Sequence, residues 1–116
     1  MSNFTPLVNQ EFEFQGDQIK AQYSRLKRSD MLGVLPFMKQ LGEESDEEKQ
    51  QKAMNEILER LIDVIPNYMV SFTGLKDTDG KDISIETVVQ EFYFVQLAAQ
   101  IATKMVSDSS ATEGNV

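Results

Sequence analysis

The chain has 116 residues, a net charge of −8, and no cysteine, histidine or tryptophan. Without cysteine there can be no disulfide and no thiolate metal site, and without histidine the commonest general base and transition-metal ligand are missing. The acidic balance repels phosphate backbones and anionic membrane surfaces, so neither nucleic acid nor membrane is an expected partner.

The length suits one domain with a real core, expected over residues 1–106 and followed by a disordered polar tail, residues 107–116 (SDSSATEGNV). The start, MSNFTPLVNQEF, has neither a basic segment nor an apolar one of signal-peptide type. No apolar run approaches the ~18 residues of a membrane span. A soluble, intracellular protein is expected.

Residues Gln10 to Leu26 read as a β-hairpin. Phe12 and Phe14 alternate with Glu11, Glu13 and Gln15, and Ile19, Ala21 and Tyr23 alternate with Gln18, Lys20 and Gln22. Gly16-Asp17 suits a two-residue II′ turn. That register sets Phe14 opposite Ile19, Phe12 opposite Ala21, and Glu13 opposite Lys20. A lone hairpin is marginal in water, so it must lie on helices, gain a third strand or pair with another subunit.

A helical stretch follows from Ser29, with Ser29 or Asp30 as cap and Met31, Leu32, Leu35, Met38 and Leu41 at helical spacing. Gly33 and Pro36 interrupt it, which predicts a short, kinked helix or two turns in sequence, and Gly42 is its expected stop. The acidic run Glu43 to Lys52 reads as a loop and the solvated start of the next helix. There Met54, Ile57, Leu58, Leu61, Ile62 and Ile65 form an apolar stripe, with Glu56 and Arg60 paired on the other face. Pro66 ends or kinks this helix. Asn67 to Leu75 fits either a further helical turn or a short strand, and Lys76 to Asp82 is a polar turn.

Ser84 to Val106 predicts one long helix capped by Ser84, about 22 residues and about 33 Å long. One stripe holds Ile85, Val88, Phe92, Val95, Ala99, Ala102 and Val106. A second holds Phe94, Leu97, Ala98, Ile101 and Met105. The first stripe suffices for packing, so the second is the candidate partner-binding surface; the alternative is a helix sandwiched between two layers of its own domain. Leu97→Asp and Ile101→Asp separate the two, because an interface variant keeps its fold and a core variant loses it. The predicted architecture is α+β, an N-terminal hairpin on three to four helices.

Other candidate sites are weaker. Asp77, Asp79 and Glu86 fall at the third, fifth and twelfth positions of an EF-hand loop aligned on Gly80, but Leu75 occupies the first and Asp82 the eighth, so an acidic turn before a capped helix is the better reading. Arg25, Lys27 and Arg28 form the one concentrated positive cluster, suited to an acidic partner or to a solvated face. Carboxylates lie in no catalytic pattern, and there is no phosphate-cradling glycine loop and no nucleophile elbow. No enzymatic activity, metal or cofactor is expected. The chain reads as a protein that binds other proteins.

The combination of FEFQGDQIKAQYSRL, LKRSDMLGVLPFM and ETVVQEFYFVQLAAQIATKMV in a small acidic chain resembles the tail assembly chaperones of long-tailed, siphovirus-type bacteriophages, over about residues 10 to 106. The resemblance implies a chaperone that binds and solubilises the tape measure protein. It also implies self-association, contact with the tail tube protein through a longer frameshifted form, residence in the host bacterial cytoplasm, and absence from the finished virion. The alternatives are an acidic phage-encoded inhibitor or adaptor, including a DNA mimic, and a minor structural tail protein.

Overall fold

A computed structural model describes residues 4–110. Strands β1 (Leu7–Phe14) and β2 (Asp17–Ser24) form the expected hairpin. Val8, Ile19, Ala21 and Tyr23 are buried on one face, while Asn9, Glu11, Glu13 and Lys20 are exposed on the other. The turn differs from expectation by one residue. Phe14 pairs with Asp17, Phe12 with Ile19 and Glu11 with Lys20, so the loop is Gln15-Gly16. Both loop residues have positive φ (51° and 89°), as a type I′ turn requires. The shift in register is two residues, an even number, so every side chain stays on its predicted face. Glu13 faces Gln18 rather than Lys20 and accepts its side-chain amide at 3.3 Å.

The expected basic junction leads into α1 (Arg28–Leu32) and α2 (Leu35–Glu43), two short helices in sequence, with Pro36 in the first turn of α2. Neither Ser29 nor Asp30 caps α1: the cap position is Lys27, without a side-chain bond. Asp30 instead accepts the hydroxyl of Tyr68. Helix α3 (Glu47–Leu61) begins inside the acidic run, where Asp46 accepts the Glu48 N–H at 2.9 Å and Glu47 and Glu48 occupy the first turn. Glu56 and Arg60 pair at 3.6 Å, and Arg60 also lies over the Phe37 ring at 4.8 Å. The short α4 (Ile65–Tyr68) carries Pro66 in its first turn.

Of the two options for residues 67–75, the strand is the one formed for most of the segment. β3 (Met69–Thr73) pairs antiparallel with β2, giving the sheet order β1-β2-β3 with a bulge opposite Gln22/Tyr23. Gly74 then has φ +106°, and a Cβ there would lie 2.2 Å from the Gln18 carbonyl oxygen. The chain can pass this close to the hairpin only as glycine.

The predicted long helix is broken. α5 (Ile85–Gln90), capped by Ser84, ends at Glu91; a 3₁₀ turn covers Phe92–Phe94; and α6 (Val95–Ser109) follows. The fold class is α+β as predicted, with a third strand added to the hairpin and six α-helices among the described residues, three of them six residues or shorter. One core cluster joins sheet and helices. Within it α6 packs on α3 and α3 on α2, while the inner face of the hairpin covers α6 from the other side.

The domain also extends past residue 106. Ser107, Asp108 and Ser109 are the last turn of α6 rather than the start of a disordered tail. The rest of that expected tail, residues 111–116, lies outside the described residues.

Candidate protein-binding ledge

The five residues expected to face a partner are core. Phe94 and Ala98 are 7% and 2% exposed, and Leu97, Ile101 and Met105 are fully buried. The cause is the sandwich: α6 lies between sheet and α3, so both of its apolar stripes are covered by the chain itself. The surface expected at Phe94, Leu97, Ala98, Ile101 and Met105 is therefore not an outer surface.

Aromatic surface appears instead where the long helix breaks. Phe92 is 86% exposed and Tyr93 65% exposed. Three consecutive aromatics on one helix would point about 100° apart and could not share a core. The 3₁₀ turn resolves this by directing Phe94 inward and the other two outward. Tyr93 meets Phe14 edge-on at 6.1 Å and Phe94 at 5.1 Å, and Phe94 packs on Phe14 at 5.5 Å. The Tyr93 hydroxyl donates to Gln15 Oε1 at 2.8 Å. The ledge is thus anchored to the hairpin tip. That anchoring also explains why Gln15, with no intrinsic preference for positive φ, holds the turn.

A groove of about 420 Å³ lies beside this ledge, its apolar lining made by Phe14, Leu75, Ile83, Tyr93 and Phe94. Asp17, Lys76 and Asp77 line it as well. The Lys76 N–H donates to Asp17 Oδ2 at 3.1 Å, which stitches the groove's far wall to the hairpin. Glu91 precedes the ledge. An apolar lining beside carboxylates suits a segment whose apolar side chains are flanked by lysine or arginine.

The other candidates resolve as structural elements. Asp77 Oδ1 accepts the backbone N–H groups of Asp79 (2.8 Å) and Lys81 (2.9 Å), Lys76 pairs with Asp82, and Glu86 sits in the first turn of α5. This is the acidic turn before a capped helix. Among the described residues no cluster of three or more acidic groups could hold a metal. The basic cluster is divided: Arg25 donates to the carbonyl oxygens of Thr5 and Asp108, whereas Lys27 and Arg28 remain exposed.

Asp108 is the most heavily used carboxylate. Its Oδ2 accepts from Gln10 at 2.9 Å and from the buried Tyr23 hydroxyl at 2.6 Å, and the Leu26 N–H donates to Ser109 Oγ at 2.8 Å. These bonds tie the end of α6 to the open end of the hairpin, while Phe94, at the other end of α6, sits under the tip. Among the described residues no helix is long and apolar enough to cross a membrane. Comparison with known protein families, curated proteins and solved structures gives no match.

Sequence reasoning placed Phe92 in the core-facing stripe and gave Tyr93 no role. The signal for both was the run Phe92-Tyr93-Phe94 itself, which no single helical stripe can bury.

Proposed function

We propose that this protein is a non-enzymatic binding protein, and specifically a tail assembly chaperone of a long-tailed bacteriophage. In this reading it binds and solubilises the tape measure protein in the host cytoplasm and is absent from the finished particle. The observation that carries the binding function is the pair of exposed aromatics, Phe92 and Tyr93, on a rigidly anchored ledge beside an apolar groove. Aromatic anchors of this kind dominate binding energy at interfaces. The family assignment rests on the resemblance of residues 10 to 106 quoted above. The charge of −8 supports the solubilising role, since it keeps a coated apolar chain dispersed.

Co-expression with a tape measure protein, followed by affinity purification, is the test. The expected result is that the long chain becomes soluble and co-purifies. Phe92→Ser should weaken that association by roughly tenfold or more, the equivalent of burying one phenylalanine, about 1.5–3 kcal/mol. The same variant should stay within about 0.5 kcal/mol of wild-type stability, because the side chain is exposed. A tape measure chain that stays insoluble while this protein elutes alone rejects the chaperone assignment. Presence of the protein in purified virions favours the structural tail protein instead.

A further inference from the structure

The two edges of the sheet are built differently. β3 is five residues long, carries the bulge and is flanked immediately by α4 and by the close approach at Gly74. Short length and bulges are how proteins blunt an edge. β1 is eight residues long, pairs with β2 in unbroken register, and contains neither proline nor lysine. The turn closes on the Phe14–Asp17 pair, so hydrogen-bonded pairs recur at Phe12, Gln10 and Val8. The backbone N–H and C=O groups of Leu7, Asn9, Glu11 and Glu13 therefore point away from β2. Among the described residues, no hydrogen bond outside the β1–β2 ladder reaches these groups.

We propose that β1 pairs antiparallel with β1 of a second copy, the two-fold axis passing through Gln10, to form a dimer with a continuous six-stranded sheet. The pairing runs over Leu7 to Glu13, stops short of the Phe14 that meets the aromatic ledge, and does not rest on the chaperone reading.

The side chains select this register. A two-fold axis perpendicular to the sheet keeps each face continuous, so only shifts of two residues are allowed. With Gln10 opposite itself, Val8 meets Phe12 on the inner face. On the outer face Asn9 meets Glu11 and Leu7 meets Glu13. No like charges are directly opposed. Centring on Glu11 sets Glu11 against Glu11, which is unfavourable. Centring on Asn9 shortens the pairing from seven residues of β1 to five. Opposed glutamates on one side and a shortened pairing on the other thus disfavour the neighbouring registers and leave the one centred on Gln10. The partner is a second copy because the same strand supplies both halves of this complementarity.

Sedimentation equilibrium of the full chain should give twice the 13.2 kDa chain mass. Association should strengthen with added salt, which screens repulsion between two copies of a −8 chain. Asn9→Pro removes an outward N–H that the monomer does not use. It should give a monomer with unchanged helical circular dichroism and a melting temperature that, unlike that of the wild type, does not depend on protein concentration. The absence of native cysteine makes single-cysteine variants clean reporters. Gln10→Cys should form a disulfide-linked dimer on oxidation, since residues opposite at a non-hydrogen-bonded pair lie about 4.5 Å apart at Cα. Glu11→Cys should cross-link far less. A wild-type monomer at the highest attainable concentration overturns the proposal. So does a dimer that survives Asn9→Pro, or cross-linking through Glu11→Cys in preference to Gln10→Cys.

Discussion

Tyr23 and Tyr68 hold their protons beyond the ordinary phenol range. For Tyr23 the largest cause is burial, followed by donation to Asp108 and by that carboxylate's charge, with Arg25 opposing. For Tyr68 it is again burial first, then donation to Asp30. Unfolded tyrosine ionises near pH 10. The unfolded chain therefore releases these protons first, and stability that is fully present below about pH 10 is lost as pH rises beyond it. Above that point Tyr23 alone should cost about 1.4 kcal/mol per pH unit. An alkaline titration followed by helical circular dichroism and tyrosinate absorbance should show Tyr23 ionising together with unfolding. Tyr23→Phe should flatten the slope above pH 10. None of this was visible in the sequence, because the partner of Tyr23 lies 85 residues away.

At the scale of elements, what the sequence revealed depended on how local the cause was. The hairpin faces follow from strict alternation in Phe12, Phe14, Ile19, Ala21 and Tyr23. The acidic start of α3 follows from Asp46, Glu47 and Glu48, and the break before α2 from Gly33 and Pro36. The turn was misplaced because Gly16 fits either position of a two-residue loop, and the Tyr93 contact that engages Gln15 is tertiary. β3 was ambiguous because MVSFT becomes a strand by completing the sheet beside β2. The break at Glu91 has no glycine or proline to announce it; it arises because Phe94 and Tyr93 pack on Phe14. The candidate interface failed for the same kind of reason. Its periodicity was read correctly, but which layers cover α6 is a property of the assembled fold. Ile101 has no exposed surface, so Ile101→Asp should cost about 4 kcal/mol or more and abolish cooperative thermal unfolding. A folded Ile101→Asp would mean that α6 does not lie in the core.

Over the whole molecule the two ends of the described chain are fastened together. Arg25 bridges Thr5 and Asp108, and Gln10 and Tyr23 converge on the same Asp108. Truncation after Val106, the boundary expected from the sequence, removes this acceptor and the last turn of α6. It should destabilise the domain by about 2–4 kcal/mol in chemical denaturation, mostly by leaving the buried Tyr23 hydroxyl without a partner. The aromatic ledge lies at the other end of α6, so the element that closes the fold also fixes the distance from the closure to the ledge.

That closure has a consequence for synthesis. The hairpin leaves the ribosome well before its partner, because Tyr23 is translated 85 residues ahead of the Asp108 that accepts its hydroxyl. Until Ser109 has cleared the exit tunnel, the hairpin has turn and register but no lid, and its apolar face is open to whatever is nearby. The fold therefore completes late and all at once, and a ribosome paused shortly before Met105 would hold out an unfinished sheet with a bare edge.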